Sequence, residues 1–179
     1  MADFKAAFKL TSGIEGGYTV DNGGPTYKGI SWNAWKREPI VQKIFSIVNA
    51  SKPQKYQVIN NTDLEKLVVS FYKTKYWDTL KGDLIENQTL ANLIYDFYIN
   101  SGSAMILINR AVGGREVTYL NETTLKILNE RPAFSYEAIL KARKDLYDRL
   151  AFKNPKFKKN NTYAGWISRL NKFPKSLTV

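Results

Sequence analysis

The run "QTLANLIYDFYINSGSAMILINRAVGG", residues 88–114, constrains the fold more than any other part of the chain. It is the most apolar stretch, its apolar residues recur at helical spacing, and Ser101-Gly102-Ser103 interrupts it. Two helices separated by a short break are expected there, with Gly113-Gly114 ending the second. Helices this apolar form a core, so the rest of the chain must supply what packs around them.

That remainder is also mostly helical in pattern. Residues 2–15 predict an amphipathic helix with Phe4, Ala7, Phe8, Thr11 and Ile14 on one face. Residues 31–48 predict a helix interrupted at Pro39, and 61–77 a helix opened by a threonine or aspartate cap. Two more helices are expected over 121–130 and 135–152, followed by a basic tail with interleaved aromatics. Only Tyr18–Ile30 reads as β structure: Asn22-Gly23 is a two-residue hairpin turn, which sets Asp21 opposite Gly24 and Thr19 opposite Thr26. Pro25 limits the second arm to an edge position. The expected fold is mainly α, with one small β-hairpin near the N-terminus.

With 179 residues, 44% of them apolar, the chain suffices for one compact unit. No apolar run approaches the roughly 18 residues that a membrane helix needs, and "MADFKAAFKL" lacks the pattern of a secretory signal. Neither membrane insertion nor signal-dependent export is expected. The absence of cysteine and histidine excludes disulfides, thiolate nucleophiles, Cys/His zinc sites and Ser-His or Cys-His pairs. Carboxylates, hydroxyls, lysines and tyrosines remain for chemistry, and no metal or cofactor is expected. A net charge of +11 points to an anionic partner such as a nucleic acid, a membrane surface or a bacterial wall.

The stretch "GIEGGYTVDNGGPTYKGI", residues 13–30, surrounds one glutamate with glycines. Glu15 lies seven positions after Phe8 and eleven after Phe4, on the apolar face if the first helix reaches it. Desolvation and the helix C-terminus both favour the protonated acid there, a form able to donate to a leaving oxygen. The hairpin folds Asp21 and Thr26 back toward it. One acid, a second carboxylate and a hydroxyl suit glycoside hydrolysis, and the glycines, Gly24 among them, permit close approach by a polymer chain. An ordinary helix cap at Glu15 and plain turn chemistry at Asp21 are the competing readings.

"EGGYTVDNGGPTYKGI" resembles the N-terminal signature of the glycoside hydrolase family 108 N-acetylmuramidases, which are lysozyme-like enzymes of phages, prophages and bacteria. "YDFYINSG" (95–102) is similar to the core-helix segment of that family, and "ARKDLYDRL…NPKF…AGWISRL" (142–170) to its C-terminal peptidoglycan-binding region. The resemblance implies a lysozyme-like fold in which Glu15 is the catalytic acid. It also implies a catalytic region over 1–100 and a helical C-terminal region over 101–179, packed together as a monomer. The implied activity is cleavage of the β-1,4 bond after N-acetylmuramic acid in peptidoglycan, at the wall of a bacterium in whose cytoplasm the chain is made.

The loop after the tyrosine is shorter than the family's, so Asp21 and Asp96 are both candidates for the second carboxylate. Tyr18, Tyr27, Tyr98, Asn100 and Trp166 are candidate sugar contacts, because aromatic faces pack on sugar rings and amides read their edges. For each aromatic the alternative is burial in a core. A non-catalytic binding or secretion-regulating protein on the same fold is the second functional reading. The basic tail also suits nucleic acid, but no recognised nucleic-acid motif accompanies it.

Overall fold

The computed structural model describes residues 1–12, 16–21 and 23–177, and they are mainly helical with one small antiparallel sheet. The chain divides into two compact units, Phe8–Trp77 and Met1–Ala7 together with Asp78–Val179. One boundary falls within the first helix, α1 (Phe4–Ser12), and the other between Trp77 and Asp78. The helices on either side of residue 100 pack on each other and on one shared long helix.

In the unit Phe8–Trp77 the sheet is built from β1 (Tyr18–Asp21), β2 (Gly24–Tyr27) and β3 (Ile30–Ser31), in that order. The hairpin register is the one the turn dictates: Asp21 faces Gly24 and Thr19 faces Thr26. The strand β2 is central, not an edge. Pro25 is tolerated because β3 pairs only with Thr26 and Tyr27, so Pro25 lies beyond its end.

Three helices complete this unit: α2 (Trp32–Trp35), α3 (Pro39–Ser51) and α4 (Thr62–Tyr72), the last continuing into a π turn, Lys73–Trp77. Pro39 opens α3, where its missing N–H costs nothing. The cap of α4 is Asn61, which accepts from the Leu64 N–H at 2.9 Å, in place of the expected threonine or aspartate. Val41, Ile44, Phe45, Val48, Leu64, Val68 and Phe71 form the core. Trp35, Tyr72 and Tyr76 pack edge-on against Phe71 at 5.4 to 6.1 Å between ring centroids.

The described residues of the larger unit form helices joined by loops, with no strand among them. The apolar run becomes α5 (Gln88–Asn100) and α6 (Ala104–Ala111), broken at residues 101–103 as expected. They are followed by α7 (Glu122–Glu130), α8 (Pro132–Lys153), α9 (Lys156–Lys159) and α10 (Thr162–Leu170). The 22-residue α8 is the axis, and α5, α6, α7 and α10 all pack on it. Met1–Ala7 joins this unit through Ala2, whose N–H donates to the Ile85 carbonyl at 2.7 Å, and Phe4, which packs edge-on against Tyr95. Among the described residues no helix is long and apolar enough to cross a membrane.

Candidate active site

The hairpin is fastened along its outer edge. The Tyr18 N–H donates to the Gln57 carbonyl at 2.9 Å, and the Tyr56 N–H to the Tyr18 carbonyl at 2.6 Å. This pairing explains a glycine of the E-G-G-Y stretch: a Cβ on Gly17 would stand 2.0 Å from the Gln57 carbonyl oxygen. Gly24 is needed for a different reason. Its φ is +93°, and the space a side chain would fill holds Asn33, which donates from Nδ2 to the Gly23 carbonyl at 2.8 Å. Close approach here is made by the protein's own chain, which gives Gly24 a role in the turn.

Opposed residues of an antiparallel pair project to the same side, so Thr19, Asp21 and Thr26 share one face of the hairpin. Thr26 is half-buried and Asp21 exposed. Asp21 accepts the Gly23 N–H on Oδ1 at 2.7 Å, the local closure expected of an aspartate at a turn. Tyr18 is half-buried on the opposite face. Its cross-strand partner Tyr27 is fully buried, and the Tyr27 hydroxyl accepts the Ile59 N–H at 3.1 Å. Tyr27 is therefore a core residue and not a sugar platform, since period-two alternation cannot say which face will be covered. Glu15 and Ile14 lie outside the described residues.

Beside the hairpin is a charged pair that sequence reasoning missed. Lys28, in the turn between β2 and β3, holds a left-handed φ of 45°, and its carbonyl accepts the Tyr72 hydroxyl at 2.7 Å. Its Nζ lies 2.5 Å from Oε2 of Glu65 on α4. Phe8, Ser12, Lys28, Glu65, Val68 and Tyr72 line a hollow of about 60 Å³, and Ser12 precedes Glu15 by three positions. Glu65 also borders an open groove of about 470 Å³ along Val58–Thr62. A pair 37 residues apart leaves no mark on local periodicity.

The remaining candidates belong to the larger unit. Asp96 is buried and held by two arginines: Arg143 donates from Nη2 to Oδ2 at 2.6 Å, and Arg169 from Nη2 to Oδ1 at 2.8 Å. Burial alone pushes the Asp96 pKa up, but the hydrogen bond from Arg169 and the charges of both arginines outweigh it and hold the carboxyl below its usual range. Both oxygens being occupied, Asp96 is a structural ion-pair centre and not a base for water. Asn100 is exposed and donates from Nδ2 to the Asp96 carbonyl at 2.7 Å. Tyr98 is half-buried, which raises its phenol pKa. Trp166 is half-buried, stacked on Tyr147 at 5.2 Å and tilted against Phe157 at 5.2 Å.

The fold and this hairpin match known proteins. A solved structure of SagA from Brucella abortus aligns with a TM-score of 0.59 and 22% identity, over 95% of this chain and 94% of that one, which establishes a shared fold. No curated protein matches the sequence. The sequence model of glycosyl hydrolase 108 matches residues 8–102, more than half of the chain and all of the hairpin. The chain thus belongs to the glycosyl hydrolase 108 family, on a mainly α, lysozyme-like fold.

Proposed function

We propose that this protein is a muramidase that hydrolyses the β-1,4 bond after N-acetylmuramic acid in the glycan strands of peptidoglycan, with Glu15 as general acid. The observation that carries the reading is the family match over 8–102, which spans Glu15, the hairpin and α5. Composition supports it, because a chain without cysteine or histidine has carboxylates as its ready proton donors and acceptors. In the proposed reaction Glu15 protonates the bridging oxygen as the C1–O bond breaks, and water attacks C1 and loses a proton. With Asp96 consumed by arginines, Asp21 and Thr26 on their shared face are the hairpin groups that would hold that water. The +11 charge would gather the enzyme onto the anionic wall, its proposed place of action.

Purified peptidoglycan digested with the protein tests this directly. Borohydride reduction of the products should convert muramic acid, not glucosamine, at the new ends. New glucosamine ends would assign a different bond, and wall binding without new ends would favour a non-catalytic binding protein on the same fold.

A further inference from the structure

The hollow beside Lys28 and the groove along Val58–Thr62 share one side chain, Glu65, which is 46% exposed although its partner Lys28 is only 20% exposed. One oxygen of Glu65 is committed to Lys28, and among the described residues Oε1 has no hydrogen bond. The ammonium thus fixes the carboxylate and leaves a directed acceptor at the meeting point of two cavities. Lys28 is itself fixed from behind by the Tyr72 hydroxyl on its carbonyl, and adopts a backbone conformation that non-glycine residues rarely occupy. Such conformations persist where the surroundings impose them, and they concentrate at ligand sites.

The groove has the lining a sugar requires. Val58, 54% exposed, offers an apolar surface, and the exposed Asn60 and Asn61 offer amides. Asn61 uses its Oδ1 to cap α4 and retains its Nδ2 donors. The segment carrying these groups is tied to the hairpin by the Tyr18–Gln57 and Tyr56–Tyr18 backbone bonds. An apolar patch, amide donors and one immobilised carboxylate form a set that recognises ring faces and hydroxyl groups.

We infer that Glu65, held by Lys28, is a substrate-binding residue that accepts hydrogen bonds from glycan hydroxyls in the groove along Val58–Thr62. The inference rests on the glycan-hydrolase reading and assigns that site a second wall on α4. Glu65 has no part in proton transfer under this assignment, so its loss weakens binding and leaves the chemical step intact.

The test is steady-state cleavage of soluble glycan strands, alternating N-acetylglucosamine and N-acetylmuramic acid and freed of stem peptides, by the full chain and by Glu65→Gln and Lys28→Met. Glu65→Gln should raise KM by at least about tenfold, the range of a hydrogen bond to a charged group, with kcat within about threefold of the parent. Lys28→Met should raise KM less, because it frees the carboxylate without removing it. An unchanged KM in Glu65→Gln overturns the inference while the parent's turnover keeps the hydrolase reading. Equal losses in both variants with a matching fall in Tm also overturn it, since the pair then only holds the fold. A parent that cleaves no glycan overturns both.

Discussion

Arg143 donates from Nη2 to Oδ2 of Asp96 at 2.6 Å, with both side chains almost wholly withdrawn from water. Arg143 is also surrounded by the rings of Phe97, Tyr147 and Phe173, so its charge has no route to solvent if the carboxylate is removed. Asp96→Asn should cost about 3–5 kcal/mol of stability, the penalty of stranding a buried charge. Denaturant unfolding measures it, and a loss under about 1 kcal/mol would show that Arg169 and water compensate.

The same pair sets an acid limit. The folded-state pKa of Asp96 lies below that of the unfolded chain, so its contribution is whole above the unfolded value of about 3.9. It is lost as pH falls through the folded value. Thermal stability of the parent should therefore drop below about pH 4 more steeply than that of Asp96→Asn. Parallel profiles for the two proteins would contradict this.

Gly17→Ala places a methyl group where the Gln57 carbonyl stands. The backbone bond from Tyr18 to Gln57 must open to admit it, loosening the edge of the hairpin. A loss of about 1–3 kcal/mol is expected, together with reduced turnover. Amide exchange at Tyr18 and Tyr56 reports the opening, and unchanged protection at both would refute it.

Glu15→Gln keeps the size of the side chain and removes its titratable proton. Turnover of peptidoglycan should fall at least about 10²-fold, the lower end of what a positioned acid contributes, with wall binding and Tm retained. Near-normal turnover by the folded variant would remove Glu15 from the mechanism.

The +11 charge should act on encounter more than on chemistry. Raising salt from 50 to 500 mM, values on the order of a threefold change in Debye length, should weaken binding to whole walls more than it slows cleavage of short soluble glycan. Equal sensitivity of the two would show that charge acts at the reacting site itself.

What could be read from the sequence was what is encoded locally. Asn22-Gly23 dictates its own turn and hence the pairing of Asp21 with Gly24, and the Ser101-Gly102-Ser103 break separates α5 from α6 whatever surrounds it. Asp96 shows the limit, because its position on α5 was evident but the arginines that claim it come from 47 and 73 residues away. Tyr27 shows another: its place in the hairpin is local, but the N–H that its buried hydroxyl accepts belongs to Ile59, 32 residues on. The Lys28–Glu65 pair and the division between Ala7 and Phe8 are likewise consequences of distant contacts, which no window of neighbouring residues contains.

That division bears on how the protein is made. Met1–Ala7 is synthesised before Phe8–Trp77 but belongs with Asp78–Val179, whose Ile85 and Tyr95 engage Ala2 and Phe4. Phe8–Trp77 is continuous in sequence and complete once its own residues have emerged, whereas Met1–Ala7 must wait unsatisfied until the later helices are synthesised. The larger unit therefore matures after Phe8–Trp77, so a change at Ala2 or Phe4 would burden that later step of biogenesis more than the folding of the hairpin.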